Sequence, residues 1–325
     1  MSVAWPNERK ICFYGSSDLK SWTHLSDFGP AGSVSGIWEC PDLLPLKVEG
    51  GGERWLLIVN VGSGAPAGGS GGQYFTGEFD GTRFVPDDAA ASPRWLDYGP
   101  DFYAGVPWSG GPPGDDRRLL LGWMSNWEYA NDVPTQPWRS AMSVPRQLTL
   151  RRNGGVLQLV QIPVEELSGV TGAGKVFSGG SVAEANAWLA RESITGPQLD
   201  LNVTLQSDAT GLTGLEVFAD NEHRVLIQSD TKQNVLILDR TKSGLTDFHS
   251  SFPRRISVPL PASSTSDTSV TLRVLLDACF VEVFADDGAV AATFLAFPAP
   301  EAIGIRITAA VSVAKAQAAT ITFKH

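Results

Sequence analysis

The stretch GQYFTGEFDGTRF, residues 72–84, decides the fold class. Asp80-Gly81 sits between aromatic residues there, and such a pair between two apolar runs is the strongest short-range signal for a β-hairpin. Strand-length runs recur on both sides of it. KICFYGSSDLKSWTHL, WECPDLLPL and RWLLIVNVG lie upstream, and DFYAGVPW, RRLLLGWMSNW, SAMSVPRQLTL and GVLQLVQIP lie downstream. Each is bounded by Gly, Pro, Asp or Ser, the punctuation of an antiparallel meander. In SSDLKSW, Asp18 is placed to accept hydrogen bonds from its own backbone and close a turn. No helical periodicity precedes Pro163.

Between residues 163 and 195 the texture changes to VEELSGVTGAGKVFSGGSVAEANAW, a Gly-rich connection with a short helical stretch. This places one domain at 1–165, a linker at 166–180 and a second domain at 181–325. The second domain alternates more cleanly, in QLDLNVTL, GLEVFA, HRVLIQSD, NVLILDR, SVTLRVLLD, FVEVFADDG, AVAATFLAF and AATITFKH. Short strands at that spacing read as a β-sandwich.

The totals agree with an all-β chain of two domains. The 325 residues include 34 Gly, 21 Pro and 10 Trp, and only 18% are charged. A net charge of -10, with no run among the 25 basic residues, argues against a nucleic-acid partner and suits a neutral ligand. No stretch reaches the ~18 apolar residues of a membrane helix. MSVAWPNERK lacks an apolar leader, so the chain as written is expected in the cytoplasm and away from membranes. Cys12, Cys40 and Cys279 are too scattered for a disulfide framework or a tetrahedral metal site and read as buried thiols. His24, His223, His249 and His325 show no ligand spacing, so no metal is expected.

Polar chemistry concentrates in the first half. Trp, Tyr, Asp, Glu and Asn lie beside Gly and Pro in WECPD, DFYAGVPW and NWEYANDVPTQPW. A sugar site is lined this way, with aromatic faces against the C–H surface of the ring and carboxylates or amides on its hydroxyls.

At WECPDL the chain resembles glycoside hydrolase family 32, the β-fructofuranosidases that include invertases, inulinases and levanases. The likeness runs through FYGSSDLKSWTHLSDFGPAG, NVGSGAPAGGSGGQYFTGEFDGTRF, WLDYGPDFYAGVPW and LLLGWMSNWEYANDVPTQPWRSAMSVPRQLTL, and reaches DRTKSGLTDFH and VEVFADDG in the second domain. It implies a five-bladed β-propeller followed by a β-sandwich, and retaining hydrolysis of fructans or sucrose by two carboxylates without a cofactor. By position in the motif, Glu39 is then the general acid/base, which protonates the leaving oxygen and afterwards takes a proton from water.

Other site positions follow by the same resemblance. Trp38 supplies an apolar wall beside Glu39, and Cys40 and Asp42 complete the motif. Asp101, Phe102, Tyr103 and Ala104 form the FYA segment near the sugar, and Trp123, Asn126 and Trp127 lie at the rim. For these a packing role stands open beside the binding role. Arg139, Arg146 and Gln147 read as structural.

One departure is large. The family's Asn-Asp-Pro motif, which bears the nucleophile, and its Arg-Asp-Pro motif occur nowhere in these residues. Asn131-Asp132-Val133-Pro134 lies in a segment that matches elsewhere. Residues 10–25 would be the tail of blade three, 36–98 blade four and 101–162 blade five, or about two and a half blades in all. Open blade edges favour self-association. Three readings follow: a β-fructosidase that borrows its nucleophile, a non-catalytic carbohydrate-binding or structural remnant, and a gene product whose Met1 is an internal start. Family members are often exported, and the residues do not distinguish levan, inulin and sucrose.

Overall fold

The computed structural model describes residues 1–88, 92–207, 210–261, 268–308 and 310–322. His325 lies outside them. The chain divides into two compact units, Met1–Ala130 with Ser140–Val164, and Asn131–Arg139 with Glu165–His325. Among the described residues, no helix is long and apolar enough to cross a membrane.

The first unit is built from three antiparallel sheets. In the first, β1 (Ser2–Trp5), β2 (Lys10–Gly15) and β3 (Thr23–Phe28) run in order. The second follows β4 (Trp38–Lys47), β5 (Glu53–Val61), β6 (Gly71–Phe79) and β7 (Phe84–Pro86), with β8 (Arg94–Trp95) paired on β6. The third holds β9 (Tyr103–Pro107), β10 (Leu119–Met124), β11 (Ala141–Met142), β12 (Arg146–Asn153) and β13 (Val156–Pro163).

The Asp80-Gly81 hairpin is present. Phe79 pairs with Phe84, and Asp80 accepts hydrogen bonds from the backbone of Thr82 and Arg83 at 2.8 and 2.7 Å. Asp18 likewise accepts from Ser21 and Lys20 at 2.8 Å, bonds that hold its carboxyl down to about 2.

Strand β5 explains why its sequence is a continuous apolar run. Leu57, Val59 and Val61 join Ile11, Phe13, Phe28, Trp38, Phe75 and Phe84 in one core. Leu56 and Ile58 point the other way, into a core with Leu44, Phe102, Leu120, Leu148 and Leu159. Side chains alternate along a strand, so a strand with both faces buried has no polar face to show.

The second unit has two antiparallel sheets. One orders Lys175–Phe177, Ser312–Thr320, Leu199–Gln206, Ser269–Asp277, Phe280–Ala285 and Val290–Leu295, with Gly180–Ser181 also on Ser312–Thr320. The other orders Arg255–Pro259, Val235–Lys242, Arg224–Asp230, Leu212–Ala219 and Gly304–Thr308. Helix α1 (Val182–Arg191) starts at a capping box, in which Ser181 accepts from the Glu184 backbone and Glu184 from the Ser181 backbone. Lys175–Phe177 corrects the expected linker. It is an edge strand that pairs with residues 316–318, where backbone bonds to a neighbour outweigh its lack of apolar pattern.

Candidate active site

The site starts from a break in β4. Glu39 pairs with Asn60 of β5 and Asp42 with Ile58, so β4 carries one residue more than its partner between these pairs. Cys40 takes the strain of this bulge at φ 44, and Pro41 has no N–H to give to the ladder. Asn60, fully buried, ties the bulge down. Its Nδ2 donates to the Cys40 carbonyl at 3.1 Å, and its Oδ1 accepts from the Gly105 backbone at 3.3 Å. A lone asparagine within the apolar run RWLLIVNV is the sequence signal for this role.

The bulge leaves Glu39 half-buried in a cavity of about 550 Å³ lined by Arg9, Ser35, Gly36, Ile37, Glu39, Gly62, Ser63 and Trp127. Tyr103, from β9, donates its hydroxyl hydrogen to Glu39 Oε2. Burial and this bond to a carboxylate both push the Tyr103 phenol upward, so it stays a donor. Glu39 Oε1 makes no hydrogen bond among the described residues. The Tyr103 ring meets Trp123 edge-on at 6.4 Å, and Trp123 meets Trp127 at 4.9 Å. Trp127 is 57% exposed and so presents aromatic surface in the same cavity as the carboxyl. Arg9 was not foreseen. Its Nε donates to the Gly36 carbonyl at 3.3 Å, which fixes its stem at the cavity wall.

Several anticipated residues lie elsewhere. Trp38 corrects the expected wall beside Glu39: adjacent strand residues face opposite ways, and its ring is fully buried against Phe28, its Nε1 donating to the Ser33 carbonyl at 2.8 Å. Apolar lining comes from Ile37 instead. Cys40 is exposed at the bulge, unlike the buried Cys12 and Cys279. Asp42 is half-buried, which raises its carboxyl, and accepts from the Leu43 backbone at 2.8 Å. Asp101 is fully buried and accepts from the Tyr129 hydroxyl at 2.6 Å. Phe102 is buried under the Arg146 guanidinium, 4.5 Å from its ring. Asn126 is buried too, donating to the Gly68 and Pro100 carbonyls at 3.1 and 2.6 Å, and so braces the loop that carries Trp127. Among the described residues, Glu39 is the single carboxylate lining the cavity.

Asn60→Leu keeps roughly the same volume but leaves the Cys40 carbonyl and the Gly105 N–H without their side-chain partner. The expected loss is about 1–3 kcal/mol, read as a lower midpoint in urea at unchanged slope.

Such a site, one carboxyl held by a tyrosine beside an exposed tryptophan, is suited to proton transfer. The sequence matches the Glycosyl hydrolases family 32 N-terminal domain over residues 1–163 and the Glycosyl hydrolases family 32 C terminal domain over 167–325. It is 39% identical over 317 residues to a levanase of Bacillus subtilis, covering 96% of this chain and 46% of that protein. Against the extracellular exo-inulinase inuE of Aspergillus niger it is 37% identical over 311 residues, covering 92% and 57%. Among solved structures, the exo-inulinase of Aspergillus awamori superposes with a TM-score of 0.87 at 29% identity, covering 99% of this chain and 64% of that one. A fructofuranosidase of Schwanniomyces occidentalis, complexed with fructose, gives 0.84 at 27% identity, covering 99% and 67%. The chain thus spans about half the length of the levanase and inulinase it matches. With both domain models matched in order across almost all of its residues, the chain belongs to glycoside hydrolase family 32.

Proposed function

We propose that this chain carries the proton-transferring half of a retaining β-fructosidase site that acts on fructans or sucrose-type sugars, and that its three sheets are blades of that enzyme's propeller. One observation carries the reading. Glu39 stands in the cavity with one oxygen held by Tyr103 and the other without a hydrogen bond among the described residues. Oε1 is the atom that protonates the leaving glycosidic oxygen and later accepts a proton from water, while Trp127 offers a face on which a sugar ring can stack.

The nucleophile, in this reading, comes from residues outside these 325. A retaining glycosidase needs its two carboxyls about 5 to 5.5 Å apart, and no second carboxylate lines the cavity among the described residues. The test compares fructose released from levan, inulin and sucrose by the 325-residue chain with release by the same chain extended through its upstream reading frame. We expect turnover from the extended protein, and from the chain alone no more than its Glu39→Gln variant gives. Brisk turnover by the chain alone, unchanged by Glu39→Gln, contradicts the proposal.

A second reading, sugar binding without turnover, is favoured by the same single carboxylate. Calorimetric titration with short fructo-oligosaccharides separates the two. Heat of binding with no hydrolysis by the extended protein supports the second reading.

Tyr103 has a positioning role. In the extended protein, Tyr103→Phe removes the hydroxyl and little volume, so kcat is expected to fall about tenfold with KM nearly unchanged, and the alkaline side of the pH profile to move. An unchanged profile and rate would show that the hydroxyl only fills space.

A further inference from the structure

A second cluster of reactive side chains lies away from the cavity, on the sheet of β1, β2 and β3. Cys12 of β2 pairs with Asp27 of β3, and Tyr14 pairs with His24. Between these pairs β3 carries an extra residue, since the register shifts between Phe13 and Tyr14. Residues 24 and 27 would face opposite ways on a regular strand. The bulge absorbs one position, so Leu25 and Ser26 turn away together and His24 comes round to the face of Cys12 and Asp27.

One ligand atom from each of Cys12, His24 and Asp27 then lies within 4.8 Å of the others. His24 Nε2 is 2.6 Å from Asp27 Oδ1. Asp27 Oδ2 faces Lys10 Nζ at 3.1 Å, and Lys10 also pairs with Glu8 at 3.2 Å. A tetrahedral zinc ion, with bonds of about 2.3 Å to sulfur and about 2.0 Å to nitrogen and oxygen, spaces its ligand atoms roughly 3.3–3.6 Å apart. The side chains of His24 and Asp27 are 50% and 35% exposed, which leaves them room for shifts of this size and leaves the site an entry path. Cys12 is 2% exposed, so its sulfur forms the floor.

We infer that Cys12, His24 and Asp27 form a binding site for a borderline-soft divalent cation of the zinc class, with water as the fourth ligand. The donor set selects the ion. Thiolate and imidazole disfavour magnesium and calcium, which take oxygen ligands. Metal binding displaces the thiol proton, and the Asp27 oxygen that does not coordinate keeps Lys10 as its partner, the arrangement that orients ligating carboxylates in metal sites. The ion would bridge β2 and β3 and stabilise their sheet.

The test uses the full chain with Cys40→Ala, which removes the exposed thiol as a competing ligand. Zinc is titrated in competition with a chromophoric chelator, and cobalt is substituted to reveal sulfur ligation through a thiolate-to-metal charge-transfer band. One equivalent is expected to bind with micromolar or tighter affinity and to raise the melting temperature. His24→Gln alters an exposed side chain and leaves the fold intact. It should weaken binding by about tenfold or more, and Cys12→Ser should abolish the charge-transfer band. No binding at millimolar zinc, or binding that neither variant changes, overturns the inference.

Discussion

Glu39→Gln, made in the protein extended through its upstream frame, should slow fructose release from sucrose by about 10²- to 10⁴-fold while sugar affinity stays close to that of the parent. The amide fits the same volume and still accepts the Tyr103 hydroxyl hydrogen, so the geometry at Oε2 survives. It has no proton to give from the position of Oε1. The leaving oxygen must then depart as an alkoxide or wait for water, and the loss falls on kcat because the ground-state contacts of the ring, including Trp127, are untouched. Michaelis–Menten kinetics on sucrose and levan check this. A variant that lost affinity but kept kcat would place Glu39 among the binding groups.

The second large effect concerns stability. Arg146 Nη1 lies 2.9 Å from Asp97 Oδ2, and both side chains are 0% exposed. Asp97 Oδ1 accepts the Gly99 backbone N–H at 2.8 Å, and the guanidinium covers Phe102. Arg146→Met removes the guanidinium that faces the buried Asp97 carboxylate. The expected cost is about 3–5 kcal/mol, measured by urea unfolding followed through tryptophan fluorescence. Adding Asp97→Leu to Arg146→Met should recover much of that loss, because the two buried charges are then removed together. The pair is screened little by salt, so the difference should persist at high ionic strength. The consequence reaches the site, since Phe102 precedes Tyr103 and its ring packs so close to Gly122 that a Cβ there would meet it at 2.4 Å.

Much of this was legible in the residues. The Asp80-Gly81 hairpin and the apolar run of β5 are local signals, and local signals survive in the fold. WECPDL drew attention to Glu39 because the motif is short and contiguous, and the structure puts that residue in the cavity wall. The remainder depends on register. The Tyr103 contact joins residues 64 positions apart, and nothing in either neighbourhood announces the other. Trp38 reads as an apolar wall for Glu39 because it adjoins it, yet strand alternation sends neighbours to opposite faces. Cys12, His24 and Asp27 meet across two strands through a bulge, a proximity that spacing along the chain does not show. Bulges leave weak sequence traces and re-aim side chains, and Glu39 and His24 each lie at one.

The most direct measurement of the central claim varies the leaving group. A sugar oxygen that departs as an alkoxide needs a proton from Glu39, whereas an activated aryl oxygen leaves without one. With kcat/KM measured for Glu39→Gln and the parent on sucrose and on an aryl β-fructoside, a loss of about 10² or more on sucrose and near-parity on the aryl substrate is predicted. Equal losses on both substrates would show that Glu39 is not the proton donor.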